Sequence, residues 1–241
     1  APPDGGAELQ VVWAQRAGAT TPVHDLWMSE LDLDEPGDNF RDVDGALLAA
    51  EHVGGCESLR DPALVPQLVP DERGEPVIPP ERLWLLFTCE PPGTGPSTIG
   101  AAALNDDGDG GYRVDPDTVR TDVLTPAVGA YATRGVFSPE PVTWLDEGRL
   151  RLELWFFARS DAGPVVLAFA RGIGSAGGAL PTLRPYPGNP ILAPDDPIFE
   201  SGCAAGCRFN GLGVTRAVQR PEFQLLVGRT LLGVPEETHE L

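Results

Sequence analysis

The sequence predicts an all-β protein: a propeller-like ring of about four visible blade repeats, either a fragment of a four- or five-bladed propeller or a chain that closes into one. Three observations predict it. Trp13 (LQVVWAQ), Trp84 (RLWLLFT) and Trp155 (LELWFFA) stand 71 residues apart twice over, and the next step lands on Leu226 in FQLLVGRT. Each of these residues sits in a short apolar run bounded by turn-forming residues, and no stretch of helical period is long enough to compete. Finally, 29 Gly and 26 Pro make up about 23% of the 241 residues, which disfavours long helices.

The remaining elements follow the same period. After each tryptophan strand comes a second apolar segment, at 24–31, 98–104 and 164–172. A Gly/Asp turn follows in each case (DLDEPGDNF, NDDGDGGY, GIGSAGG), then a short Leu/Ile pair in ALLAA (46–50), DVLTP (122–126) and NPILAP (189–194). A new strand then opens at RDPALVPQL, FSPEPVTWL and NGLGVTRAV. A repeat of four short strands with turn-rich connections is a propeller blade. A β-sandwich is the alternative, but it gives no reason for the tryptophan period. Residues 1–8 are expected to be a disordered lead-in, 9–233 a single propeller-like domain and 234–241 a tail. The chain reads as starting and stopping within blades, so its end strands either complete one blade between them or belong to a larger ring. The opening Ala1-Pro2-Pro3-Asp4-Gly5-Gly6, with no signal-like core, reads as a processed or cut terminus.

Charge narrows the partners. The 17 basic residues, all Arg, face 36 acids for a net charge of −19. Such a surface repels phosphate backbones and argues against nucleic acid. No apolar run approaches the roughly 20 residues that span a bilayer. The four cysteines lack paired CxxC spacing, and the three His are scattered, so no zinc site is expected. The even cysteine count and the acidity point to an extracellular, periplasmic or cell-surface protein. In a meandering blade the start of the innermost strand lies beside the end of the next strand. Cys56 is therefore expected to pair with Cys89, leaving Cys203 with Cys207 in a short loop.

Three phrases carry a family resemblance: Arg60-Asp61-Pro62-Ala63-Leu64-Val65, Ser138-Pro139-Glu140-Pro141-Val142, and Gly188-Asn189-Pro190-Ile191-Leu192 ahead of Glu200. Their order over residues 9–233 resembles the five-bladed propellers of arabinanase, invertase and levansucrase type glycosidases and their secreted relatives. The resemblance implies three acids projecting from innermost strands into a central funnel: a base or nucleophile, a pKa-adjusting acid and a proton donor. The Arg-Asp-Pro phrase matches the middle role, which falls to Asp61. Glu140 occupies a comparable strand opening one repeat later but follows its proline instead of preceding it. The third opening, Gly211-Leu212-Gly213-Val214, carries no acid.

Asp61 and Glu140 are thus the candidate catalytic pair, since glycoside cleavage needs two carboxyl groups, one of them protonated. Arg60, Glu57, Arg134 and Glu200 are expected to line the same mouth as substrate-binding residues. The plainer alternative pairs Asp61 with Arg60 or Arg134 and leaves Glu140 facing solvent. Asn105, Asp107 and Asp109 fit the opening of a calcium loop, so structural calcium is the one cofactor the pattern allows. Pro116 stands where the closing bidentate Glu belongs, and the other repeats have plain turns at this place. Gly172-Ile173-Gly174-Ser175-Ala176-Gly177 matches GxGxxG, but the following prolines forbid the helix that a dinucleotide site requires. The periodic tryptophans are expected to pack between blades, while Trp27, Trp144, Tyr131 and Tyr186 are the candidates for a ligand platform. The reading is an exported carbohydrate-binding or glycosidase-like propeller, with a non-catalytic protein-interaction or surface module as the alternative. Its partner is a carbohydrate or an extracellular protein.

Overall fold

The computed structural model describes residues 8–16, 23–32, 41–42, 45–77, 82–108, 111–126, 131–161, 163–196, 207–216 and 223–231. Among them there is no α-helix, and strands form successive antiparallel sheets. Blade one holds β1 (Glu8–Arg16), β2 (His24–Asp32) and β3 (Arg41–Asp42). Blade two runs β4 (Ser58–Pro66), then, past a small ribbon of β5 (Val69–Pro70) and β6 (Pro76–Val77), β7 (Arg82–Glu90), β8 (Thr98–Asp106) and β9 (Tyr112–Leu124). Blade three is β10 (Gly135–Asp146), β11 (Arg149–Arg159), β12 (Val165–Ser175) and β13 (Arg184–Pro185). The fourth sheet contains β14 (Cys207–Arg216) and β15 (Phe223–Leu231). Glu8 opens β1, while the lead-in before it and the tail after 231 lie outside the described residues.

Each blade is too thin to hide its own side chains, so both faces are buried by neighbours. Leu26, Leu48 and Val53 of blade one meet Leu59, Leu85 and Phe87 of blade two. On the other face of blade two, Trp84, Leu86, Ile99 and Ala101 meet Leu152, Leu154, Phe156 and Ala168 of blade three. Trp155, Phe157 and Leu167 then pack against Phe209, Leu212 and Val214 of the fourth sheet. Burial on both faces explains why TIGAAAL reads as a continuous apolar run instead of alternating. Small residues in that run admit bulky neighbours: a Cβ on Gly100 would collide with the Phe87 ring and the Arg120 carbonyl.

The second residue of each anticipated apolar pair, Leu48, Leu124 and Leu192, takes an equivalent place in its blade. Leu26 pairs with Leu48, Ile99 with Leu124 and Leu167 with Leu192, joining β2, β8 and β12 to the outermost segments of their blades. These bridges also set the register of the tryptophans. Leu26 pairs with Ala14, Ile99 with Thr88 and Leu167 with Phe157, so Val12, Leu86 and Trp155 occupy one level. The true spacings at that level are 74 and 69 residues, not 71. Trp13, Trp84 and Trp155 do lie on corresponding strands, β1, β7 and β11, but the expectation of equivalent positions is corrected. Trp84 sits two residues from the Trp155 level on the same face. Trp13 points the opposite way, because its neighbours Val12 and Ala14 pack toward blade two.

Cys56 and Cys89 form the expected disulfide, with Cα atoms 5.4 Å apart, tying the approach to β4 to the end of β7. Cys203 lies outside the described residues, as does the Cys207 side chain. Replacing both Cys56 and Cys89 by Ser should lower unfolding stability by about 4 kcal/mol, because the bridge closes a 33-residue span whose freedom is restored in the unfolded chain. Urea denaturation of the double variant checks this; an unchanged midpoint would contradict it.

Candidate functional site

The innermost strands carry one repeated irregularity. Between Arg60 and Ala63 two residues of β4 oppose one of β7, and between Phe137 and Glu140 the same happens on β10 against β11. The β14–β15 ladder shifts by one residue at the corresponding place, between Phe209 and Gly211. Such bulges bend a strand and re-aim its side chains. Asp61 (φ 48°) and Ser138 (φ 51°) occupy the left-handed region at the two bulges, and each precedes a proline. Proline disfavours the right-handed helical region for the residue before it, and a β-carbon in left-handed space costs of order 1–2 kcal/mol. Asp61–Pro62 is thus the structural counterpart of Ser138–Pro139, and Glu140 corresponds to Ala63.

The two strained residues hold each other across the blade boundary. The Thr88 hydroxyl donates to Asp61 Oδ2 at 2.9 Å, and the Ser138 backbone N–H reaches both Thr88 Oγ1 at 3.0 Å and Asp61 Oδ2 at 3.2 Å. Thr88 is only 1% exposed, whereas the Asp61 carboxylate it holds is open to solvent. The Asp61 carboxylate is therefore fixed by two donors, one from its own blade and one from the next.

Glu140 directly follows the second bulge and is half-buried. Burial pushes its carboxyl pKa above the ordinary 4.5, and the negative charge of Asp61 raises it further. One carboxyl is held in place while its neighbour retains a proton to higher pH than usual. That is the division of labour an acid–base site requires.

The arginines are occupied elsewhere. Arg60 Nη1 donates to Glu90 Oε1 at 2.9 Å, and Arg134 Nε lies 3.0 Å from Asp161 Oδ1. The plainer alternative of Asp61 neutralised by Arg60 or Arg134 is thereby replaced by the Thr88–Ser138 clasp. Glu57 and Arg134 face a common cleft of about 300 Å³ together with Glu90, Ser97 and Arg159, at the end where β4 and β10 begin. Of the expected mouth residues Glu57 and Arg134 line this cleft, and Arg60 touches it through Glu90, while Asp61 and Glu140 are not among its lining residues. Glu200 lies outside the described residues. Nothing in the sequence singles out Thr88 or Glu90, whereas the X-Pro step shared by RDP and FSP points to Ser138.

The other candidates separate from this pair. Asn105 is paired in the β8–β9 ladder. The Asp106 carboxylate accepts the Gly108 N–H at 2.7 Å and Asp107 that of Gly111 at 3.0 Å, so these acids build the turn that joins the two strands. Asp109 lies outside the described residues, among which no group of three or more His, Cys, Asp or Glu is arranged to hold a metal ion. The Tyr131 hydroxyl accepts from Asn189 Nδ2 at 3.3 Å and its ring packs on the core between blades two and three. Tyr186 stacks on Phe169, and Trp27 pairs with Trp13 inside blade one. Trp144 sits four residues beyond Glu140, about 13 Å along the strand.

No protein-family profile matches the chain, and no curated protein matches it. Solved structures do. A BT0996–RGII complex is 13% identical with a TM-score of 0.55, over 93% of this protein and 67% of that one. A glycoside hydrolase is 12% identical with a TM-score of 0.56, over the same shares of each protein. An endo-arabinase from Bacteroides thetaiotaomicron VPI-5482 is 18% identical over 97% of this protein and 73% of that one, at a TM-score of 0.45. The first two establish likeness of fold alone.

Two outcomes follow from the site's geometry. Thr88→Val should destabilise the fold by roughly 1–3 kcal/mol, since it removes a buried hydroxyl that both donates and accepts; an unchanged urea midpoint would show the clasp to be idle. Glu140→Gln should match the parent in stability below about pH 4.5, where both side chains are neutral. As pH rises through the elevated pKa, the parent must ionise a half-buried acid beside Asp61 and should lose stability relative to the variant. Thermal midpoints measured from pH 4 to 8 check the sign.

Proposed function

We propose that this chain is an exported propeller that binds an oligosaccharide or polysaccharide at the mouth formed by blades two and three and cleaves it with Glu140 as proton donor. The observation that carries the reading is the elevated pKa of Glu140, caused by its burial and by the fixed carboxylate of Asp61. Protonation of a departing glycosidic oxygen needs an acid that keeps its proton near the working pH. In this reading Asp61 adds to the rise that burial causes. Its own position is guaranteed by Thr88 and Ser138, so its field on Glu140 does not depend on a flexible side chain. Glu57, Arg60 and Arg134 offer charged and hydrogen-bonding groups to sugar hydroxyls around the cleft.

Export is supported by the Cys56–Cys89 bridge, since such bonds persist in oxidising compartments. Among the described residues no helix is long and apolar enough to cross a membrane. Likeness of fold to a glycoside hydrolase supports a carbohydrate ligand. A binding-only reading has one observation in its favour: the third bulged strand passes through Phe209, Asn210 and Gly211 without an acid. Hydrolysis and binding of arabinan, xylan and pectic oligosaccharides by the parent, Asp61→Asn and Glu140→Gln separate the two. Cleavage by the parent that falls at least 100-fold in Glu140→Gln, with binding retained, is the expected result. Binding lost without any parent cleavage would favour the lectin-like reading, and no effect on either would overturn the site.

A further inference from the structure

A second site is suggested by the only described place where two arginines stand side by side in a ladder. Arg171 on β12 is in register between Glu153 of β11 and Arg184 of β13. Like charges directly opposite one another destabilise a sheet. Yet neither Arg171 nor Arg184 forms an ion pair among the described residues, in a chain that has twice as many acids as bases. Both open onto one groove of about 530 Å³, whose apolar wall is Ile173, Pro185 and Pro187. Ile173 is 41% exposed there.

The support beneath Arg171 is rigid. Trp155, Phe169 and Tyr186 form a continuous stack with ring centroids 5.0 and 4.7 Å apart. The Arg171 guanidinium carbon lies 5.6 Å from the Tyr186 centroid and 6.0 Å from that of Phe169. The Tyr186 N–H bonds the Phe169 carbonyl at 3.0 Å, and the Asn189 amide bonds both backbone groups of Phe169, so the segment carrying Tyr186 is pinned to β12. A guanidinium engaged through its flat face keeps its edge donors for a planar oxyanion.

We propose that this groove binds a carboxylated sugar ring, with the carboxylate held by Arg171 and Arg184 and the apolar face of the ring on Ile173 and the two prolines. The choice of a sugar rests on the carbohydrate reading above; the oxyanion site does not. It lies on the outer part of blade three, away from the Asp61–Glu140 pair, and would hold an acidic stretch of a polymer while another part occupies the mouth.

Saturation-transfer NMR and calorimetric titration of the full chain test this with three probes: a galacturonate disaccharide, a neutral galactose disaccharide and inorganic phosphate. The parent should bind the uronate, with affinity falling as salt is raised, and should not bind the neutral sugar in the groove. Arg184→Gln and Arg171→Gln should each weaken uronate binding at least tenfold with the thermal midpoint unchanged for Arg184→Gln, whereas Glu140→Gln should leave it intact. Uronate binding indifferent to Arg184→Gln overturns the proposal. So does binding of phosphate without uronate, which would make the groove a simple anion site. Loss of uronate binding in Arg184→Gln, alongside a parent that cleaves nothing, would leave the groove standing and remove the hydrolase reading instead.

Discussion

The hydrogen bonds that the Ser138 backbone N–H makes to Asp61 and Thr88 are the hinge on which this site depends. Blades two and three are also joined by apolar packing and, at the start of β10, by the Ser97–Gly135 bridge and the Val136 N–H to the Ser97 carbonyl at 3.1 Å. The contact at the two bulges adds a directional link between β10 and β4, the strands that carry the acids. The left-handed backbone at Asp61 and Ser138 is part of the same device, because it turns the carboxylate of one residue and the N–H of the other toward a common point. Strain in one blade is held by the other, so neither bulge is independent of its neighbour.

That coupling links fold to electrostatics. Glu140 feels Asp61 because β10 is drawn against β4. Arg60 and Arg134, the two cations nearest in sequence to the pair, are drawn off by Glu90 and Asp161. Had either bonded Asp61 instead, its charge would have offset the part of the Glu140 shift that Asp61 adds to the larger effect of burial. The fold therefore keeps the acid pair uncompensated while neutralising the rim around it.

Much of the architecture is legible in the sequence because burial on both faces of each blade forces apolar runs at fixed intervals. The recurring Leu/Ile pairs, the strand openings at RDP and FSP, and the Cys56–Cys89 bridge all follow from that repetition. The tryptophan period misleads in detail, since strand identity survives a shift of one or two residues but face does not. Trp13 has the right strand and the wrong side. At the site, Asp61 and Glu140 stand out as acids at strand openings, yet their true correspondence, Asp61 with Ser138 and Glu140 with Ala63, is one of backbone shape and not of charge. Thr88 is invisible for a similar reason: a lone Thr inside an apolar strand looks like packing until its partner on another blade is known. The partners of Arg60 and Arg134 depend on tertiary placement that no local pattern encodes.

Asn189 has a consequence beyond its place in blade three. Its carboxamide accepts the Phe169 N–H and donates to the Phe169 carbonyl, copying with a side chain what a further strand would do with its backbone. Around it, Pro185, Pro187 and Pro190 offer no amide hydrogens. A foreign strand approaching this margin would find the Phe169 donor and acceptor already taken and its neighbours unable to reciprocate. This margin of the blade is thereby guarded against templated aggregation by one amide and three imino acids.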